Sequence, residues 1–249
     1  VQSRTVTVFA GLGAGVAVLV AAVAVLWPPP ERGQTDPSLP ELPDAVQVAV
    51  DEGGIATADC PNGMDWHTDG VRGEVVDLNG SNEYCATAGP MVDTTASYSV
   101  SAWVKLAVPP GKLAMAAVGQ DGTNASGFYL QYSWYHGKWA FNWMEADVID
   151  PADNVTATSD EPVTTEWTHL VGTYDAKTKR IQVYVNGVPG TTRTIGKPWR
   201  ATGPLTIGRA KWNGQPSNYL RGNVDDVRLW TRALRPDEVV GLFTAPPAA

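Results

Sequence analysis

Cysteine is scarce. The chain has two, Cys60 and Cys85, and neither lies in a Cys-x-x-Cys or Cys/His spacing of the kind that binds zinc. Histidine is almost as rare, at three: His67, His136 and His169. No His-Glu-x-x-His occurs, and no Gly-x-Ser-x-Gly elbow. A zinc protease helix and the nucleophile turn of an α/β-hydrolase are therefore excluded. His169 sits in a strand-like stretch with no evident serine partner, so it reads as a hydrogen-bonded structural residue. Charge is sparse too. Lysine and arginine total 18 against 26 acids, a net charge of −8, with no basic run in the globular part. Phosphate backbones are bound through clustered cations, so a nucleic-acid partner is not expected.

The long hydrophobic run is confined to one place. Val6–Trp27 carries no charge and is long enough for the roughly 20 residues that cross a bilayer as a helix. Arg4 precedes it, which favours an N-terminus left inside. Two readings stand. Residues 1–27 form a transmembrane anchor, or they form a signal peptide cleaved near Ala22-Val23-Ala24. The apolar run exceeds a usual signal core, so the sequence predicts a single-pass protein with its domain outside the cell membrane. Secretion after signal cleavage is the alternative. Residues 28–54 carry Pro28-Pro29-Pro30, Pro37, Pro40 and Pro43 among polar residues and read as a stiff extracytoplasmic spacer. Within it, residues 45–54 are ambiguous between a short helix and an edge segment. In an exported chain the two cysteines pair, closing a loop of about 25 residues and stabilising by roughly 3 kcal/mol. Two buried free thiols are the other reading.

What is plentiful is glycine (25), proline (19), tryptophan (10) and tyrosine (8). From residue 55 the pattern is β. Tyr98, Val100, Ala102, Val104 and Leu106 alternate with Ser99, Ser101, Trp103 and Lys105, a half-buried strand. Further strands are predicted at residues 71–78, 113–118, 128–132, 139–144, 167–174, 180–185, 191–195, 205–209 and 224–230. Asn186-Gly187 is a tight hairpin signal. Arg235-Pro236-Asp237-Glu238 predicts a short helical turn to about Leu242. Many short strands with turn residues between them indicate an all-β sandwich or barrel over 55–244, with a frayed tail at 245–249.

Three segments carry a resemblance: Tyr98–Lys105; Trp167–Asp175 continuing to Val183–Gly187; and Leu205–Gly208 with Gly222–Trp230 and Thr231–Leu234. In this order and spacing they resemble the laminin-G-like, concanavalin A-like jelly-roll domains of secreted or surface-anchored bacterial proteins. The resemblance implies a two-sheet antiparallel jelly-roll sandwich. It also implies a structural calcium ion at Asp225, with partners at Leu78-Asn79-Gly80, chiefly Asn79 and Gly80. Calcium takes six to eight oxygens, so one carboxylate plus carbonyls suits it. Solvated turn aspartates are the plain alternative. Asp147, Asp150 and Asp153 lack the spacing of a compact calcium loop and read as a solvated loop.

Trp139, Phe141 and Trp143 share one face of a strand and read as core rather than as a sugar platform. Trp134, Tyr135, Trp199 and Trp212 fall in loops, where binding residues concentrate. Trp134, Trp199 and Trp212 are the candidate ligand contacts. The related glucanases carry Glu-x-Asp-x-(x)-Glu on one strand, and no such run exists here, so no catalytic residues and no enzyme are expected. The expected function is non-catalytic binding or display of a glycan or a cell-surface protein. Two alternatives stand beside it: an assembly module of an envelope complex without a small ligand, and a glycoside hydrolase on the same fold.

Overall fold

The computed structural model describes residues 58–150 and 154–245, together with the backbone of residues 46–48. The strands in chain order are β1 (Val46–Val48), β2 (Ala58–Asp59), β3 (Asp65–Asp69), β4 (Gly73–Asn79), β5 (Cys85–Thr87) and β6 (Tyr98–Leu106). Next come β7 (Met115–Asp121), β8 (Ser126–Ser133), β9 (Lys138–Met144), β10 (Asn154–Thr158), β11 (Thr168–Asp175) and β12 (Arg180–Val185). They end with β13 (Val188–Thr194), β14 (Leu205–Ile207), β15 (Ala210–Trp212), β16 (Gln215–Ser217) and β17 (Arg221–Trp230), followed by helix α1 (Pro236–Thr244).

Two antiparallel sheets pack face to face. The first runs β13-β12-β11-β6-β17-β4-β3 and the second β10-β9-β8-β7-β14-β5-β2, with β15 and β16 as a separate hairpin. This is the sandwich that the strand pattern predicts. In β6 the alternation is realised: Tyr98, Val100, Ala102, Val104 and Leu106 are at most 2% exposed and belong to the main core, while Trp103 and Lys105 point the other way. Trp139, Phe141 and Trp143 face inward from β9, as expected. Across the sandwich Phe141 presses on Gly172, where an added Cβ would lie 2.4 Å from its ring. Asn186 and Gly187 both have positive φ, 51° and 79°, which is what a two-residue primed hairpin turn requires between β12 and β13. Cys60 and Cys85 form the expected disulfide, tying the approach to β3 to β5.

Within segment 45–54 only Val46–Val48 is described, and it is a strand, not a helix. Val46–Val48 pairs with Val227–Leu229 of β17, taking over the row that β4 occupies along Arg221–Val224. Part of the expected spacer thus joins the first sheet.

Helix α1 lies on the outer face of that sheet. Its Val239 and Leu242 pack with Val171, Tyr184, Trp230 and Leu234. Pro236 opens it, and the Glu238 carboxylate accepts the Arg235 N–H at 2.7 Å, satisfying a donor that helix geometry orphans.

Beside the helix, His169 is 2% exposed in a three-ring cluster with Trp103 and Phe243, at 5.1 and 6.3 Å, those two rings lying 5.8 Å from each other. Its backbone N–H donates to Asn186 Oδ1 at 2.8 Å, but its ring Nδ1 has no partner, so the imidazole is a packing element more than a hydrogen-bonded one. Burial, aided by Arg72 and Arg228, drives its pKa down from 6.5 to about 3. The folded protein keeps this ring neutral, while the unfolded chain takes up a proton below 6.5. Stability is therefore unaffected by this group above pH 6.5 and falls by up to about 1.4 kcal/mol per pH unit below it, until about pH 3. Urea unfolding from pH 7 to pH 4.5 is expected to show this slope, and His169→Gln to flatten it. Equal slopes would remove His169 as the cause.

The expected single-pass membrane topology is corrected here. Among the described residues no helix is long and apolar enough to cross a membrane. The helix present there, α1, has nine residues and spans about 14 Å, against a hydrocarbon core of about 30 Å. The stretch that suggested an anchor, residues 6–27, lies outside the described residues, as do the proline-rich residues 28–45 and the tail 246–249.

Candidate functional site

Strands expose alternate residues, so the inward set of β8 and β9 fixes the outward one. Phe128, Leu130 and Tyr132 of β8 and Trp139, Phe141 and Trp143 of β9 point inward. Tyr129, Gln131 and Ser133, with Ala140, Asn142 and Met144, then share the outer face of the second sheet. That face divides in two. At one end Ala116, Ala125, Tyr129, Met144 and Ala210 form a small apolar cluster roofed by Trp199 and Trp212. Next to it lies a polar ladder that crosses the strands. Asn218 Nδ2 donates to Gln131 Oε1 at 3.2 Å, and Gln131 Nε2 donates to Asn142 Oδ1 at 2.9 Å. Asn142 Nδ2 donates to Thr156 Oγ1 at 2.6 Å, and that hydroxyl donates to Asn154 Oδ1 at 2.7 Å. Gln131 and Asn142 are buried, and the ladder opens to solvent at Asn154. Beyond Ser133, at the β8–β9 turn, the Trp134 and Tyr135 rings lie against each other with centroids 3.9 Å apart and planes tilted by 31°, and Tyr135 is 78% exposed.

The three candidate tryptophans thus separate. Trp134 is a surface aromatic. Trp199 is a cap: its indole N–H donates to Met144 O at 2.7 Å and its ring packs on the apolar cluster. Trp212, on β15, is half-buried on the same cluster. Tyr129 holds the β15–β16 hairpin down by donating its hydroxyl to Lys211 O at 2.8 Å.

The acids near this face are engaged in structure. Asp147 is not a solvated loop residue: its carboxylate accepts the N–H groups of Thr123, Asn124 and Ala125 at 2.6–3.0 Å and shapes that turn. Burial acts to raise its pKa, but these donors outweigh it and hold the carboxyl below the usual range. Asp150 has φ 50° and donates its N–H to Asn213 Oδ1, joining the loop to the β15–β16 hairpin, while Asp153 lies outside the described residues. Asp121, 1% exposed, accepts from Arg209 at 2.8 Å, from Lys211 at 3.3 Å and from Ser126 at 2.9 Å.

Residues 79–240 match a sequence profile described as Laminin_G_3, of the Concanavalin A-like lectin/glucanases superfamily. The chain belongs to this superfamily. Over 83 residues this laminin-G-like domain is 39% identical to human adhesion G-protein coupled receptor D1, which is 32% of the present chain but only 9% of the receptor's length. Among solved structures it is similar to domain 4 of AbnA, an extracellular arabinanase from Geobacillus stearothermophilus, in complex with arabinotriose. That match has TM-score 0.57 at 21% identity and covers 78% of this chain and 83% of that one. The binding domain of botulinum neurotoxin serotype G matches at TM-score 0.58 and 12% identity, over 80% and 48% of the two chains. A Trypanosoma rangeli sialidase matches at 0.52 and 18%, over 76% and 29%. At these identities the likenesses establish the fold.

The laminin-G-like domain does not gather the residues expected to hold calcium. Asn79 pairs with Arg221 at one end of the β4–β17 ladder, whereas Asp225 lies four residues further along, about 13 Å away. Around Asn79 the side chain closes its own turn, Oδ1 accepting from Ser81 N at 2.8 Å, and Gly80 sits against Arg221 with φ 77°. Asp225 Oδ2 instead meets Arg72 Nε at 2.5 Å. The Arg72 side chain is 4% exposed and covers the face of Trp103, 4.3 Å from its centroid. Asp226 also faces this guanidinium, at 3.9 Å, and accepts from Arg228 at 2.6 Å. Asp69 turns the chain into place by accepting the Val71 and Arg72 N–H groups, and its other oxygen takes Lys105 Nζ at 2.9 Å. The Lys105 bond leads the causes that hold the Asp69 carboxyl far below the usual range. Asp225 and the Asn79-Gly80 turn thus lie apart, and among the described residues no group of three or more His, Cys, Asp or Glu side chains is placed to hold a metal ion. A cation already sits at Asp225, and it is Arg72.

Sequence reasoning missed both the ladder and Arg72. The ladder had a signal, since Trp139, Phe141 and Trp143 facing inward oblige Asn142 to face outward. Arg72 had none, because its partner is 153 residues away.

Proposed function

We propose that this domain is a non-catalytic recognition module that contacts a glycan across the outer face of its second sheet. The observation that carries the reading is the amide and hydroxyl ladder of Gln131, Asn142, Thr156 and Asn154, on a sheet that also carries Trp212 over its apolar cluster and the Trp134–Tyr135 pair at its β8–β9 turn. Sugars offer hydroxyls to such amides and C–H faces to such rings. The likeness to an arabinanase domain in complex with arabinotriose supports the same class of ligand. The non-catalytic part rests on chemistry. Glycoside hydrolysis commonly needs two carboxyl groups flanking the scissile bond. Here Gln131 and Asn142 occupy the middle of the face, while Asp121 and Asp147 are tied into ion pairs and turns. The Cys60–Cys85 disulfide supports work in an oxidising compartment.

The test is retention of the full chain on a panel of insoluble polysaccharides and cell-wall fractions, with and without calcium. Binding is expected to be equal in both conditions. Trp134→Ala combined with Tyr135→Ala is expected to weaken it about tenfold, the loss typical of exposed aromatic anchors. An assembly module without a small ligand is the second reading. One observation favours it: the ladder's amides already satisfy one another, leaving few free donors. A flat response across the panel would sink the glycan reading and leave this one.

A further inference from the structure

A second concavity lies at the opposite end of β8 from the Trp134–Tyr135 turn. It has a volume of about 220 Å³ and is formed by residues 90–93 on one side and 200–202 on the other. We propose that it is a separate binding site for a single neutral sugar unit, such as the end residue of a glycan. The site does not depend on the outer-face reading, because it shares no residue with the ladder.

Its walls are preformed. Gln120, fully buried, stitches the two segments together: Oε1 accepts Met91 N and Val92 N at 2.9 and 3.0 Å, and Nε2 donates to Val92 O and Ala201 O at 2.8 and 3.0 Å. Thr94, also fully buried, repeats the device by accepting from Ala201 N at 2.9 Å and donating to Trp199 O at 2.7 Å. Two buried polar side chains therefore fix the shape of a cavity whose rim is exposed. A site that is rigid before binding loses little entropy on occupation.

The rim supplies a charge-neutral polar pair. Arg200 and Asp93 form an ion pair with side chains 63% and 37% exposed. Asp93 Oδ1 is filled by the N–H and hydroxyl of Thr95, while Oδ2 takes only the guanidinium and keeps acceptor capacity. Arg200 retains further N–H donors. A vicinal diol matches the pair: one hydroxyl donates to Asp93 Oδ2 and its neighbour accepts from Arg200. Pro90 and Met91 offer an apolar wall for the sugar's C–H face. The volume is below the roughly 300–1,000 Å³ of sites for drug-sized ligands, which suits one monosaccharide and not a chain of them. Because the arginine is already neutralised, a neutral ligand is preferred over an anion.

The experiment is titration of the ¹⁵N-labelled full chain with free neutral pentoses and hexoses, and with uronic acids as the anionic arm. Neutral sugars are expected to shift the amides of residues 90–93 and 200–202 with Kd on the order of millimolar. Arg200→Leu, at an exposed position that spares the fold, is expected to weaken this at least about tenfold. Tyr135→Ala, about 24 Å away along β8, is expected to leave it in place. Shifts confined to other residues, shifts unchanged in the Arg200 variant, a response to uronic acids only, or no response at all would each overturn the proposal. Loss of polysaccharide retention in the Trp134 and Tyr135 variants bears on the outer face and not on this cavity, so the two readings fail separately.

Discussion

Arg72→Ala is expected to cost about 3 kcal/mol of folding stability, read as a lower urea midpoint with an unchanged slope. Arg72 is the central cation of the first sheet's outer face, bonded to Asp225, near Asp226, and laid over Trp103. Removing one partner of a buried pair leaves the other charge without compensation, and that usually costs about 3–5 kcal/mol. The lower end applies because the Asp225 side chain is 23% exposed. The loss has a pH signature. Burial is the first influence on the Asp225 carboxyl and pushes its pKa up, while Arg72 opposes it. Without the guanidinium the carboxyl takes up a proton more readily, so the variant is expected to lose less at pH 5 than at pH 8. Combining Arg72→Met with Asp225→Asn should recover part of the loss, since no uncompensated charge then remains. A single-variant loss under about 1 kcal/mol would show that the guanidinium is not the pin described here.

Gly222→Ala is expected to be still more damaging, on the order of 4 kcal/mol or failure to fold. Gly222 begins the crossing of β17 between β4 and β6, with φ 144°. An added Cβ would fall 2.1 Å from the Lys105 carbonyl oxygen and 2.9 Å from Ala107 N. Both obstacles are backbone of the paired strand, so no side chain can swing away. The neighbouring bond from Ala107 N to Arg221 O, 3.0 Å, would be strained with it. Gly111→Ala is the control: an added methyl there meets nothing within 4 Å and φ is ordinary, so a change within about 0.5 kcal/mol is expected. Comparable midpoints for the two variants would contradict this account of β17.

The parts of the fold that were legible in the sequence are those where one face of a strand is apolar over its full length. The alternation of β6, the aromatic stripe of β9 and the Asn186-Gly187 turn fall in this class. Strands β3 and β10 were not legible, because Asp65–Asp69 and Asn154–Thr158 are polar or short and owe their extension to a neighbour's ladder. The bounds of β4, β7 and β13 shifted by a few residues for the same reason, since pairing decides where a strand stops. At the candidate site, the positions of Gln131 and Asn142 follow from periodicity once the inward set is known. What they bond to depends on register across three strands, β8, β9 and β10, and on the loop carrying Asn218, which no local pattern encodes. Trp134 and Trp199 looked alike as loop tryptophans, and only packing separated a surface ring from a cap. Asp225 was expected to be a calcium ligand or a solvated turn residue, and its carboxylate instead pairs with Arg72, a side chain on a turn far away in sequence.

The position of β17 bears on how the domain is made. This strand is formed late in the chain, at Arg221–Trp230, yet it sits inside the first sheet, with β6 on one side and β4 and β1 on the other. During synthesis, β4 and β6 emerge more than a hundred residues before the strand that must separate them. Pairings of such high sequence separation close slowly. The growing chain therefore holds an unfinished sheet with an open slot until about the last eighth of the described residues, from Arg221 on, appears. Closure of the first sheet, and with it the cooperative stability of the domain, thus waits on the last strand.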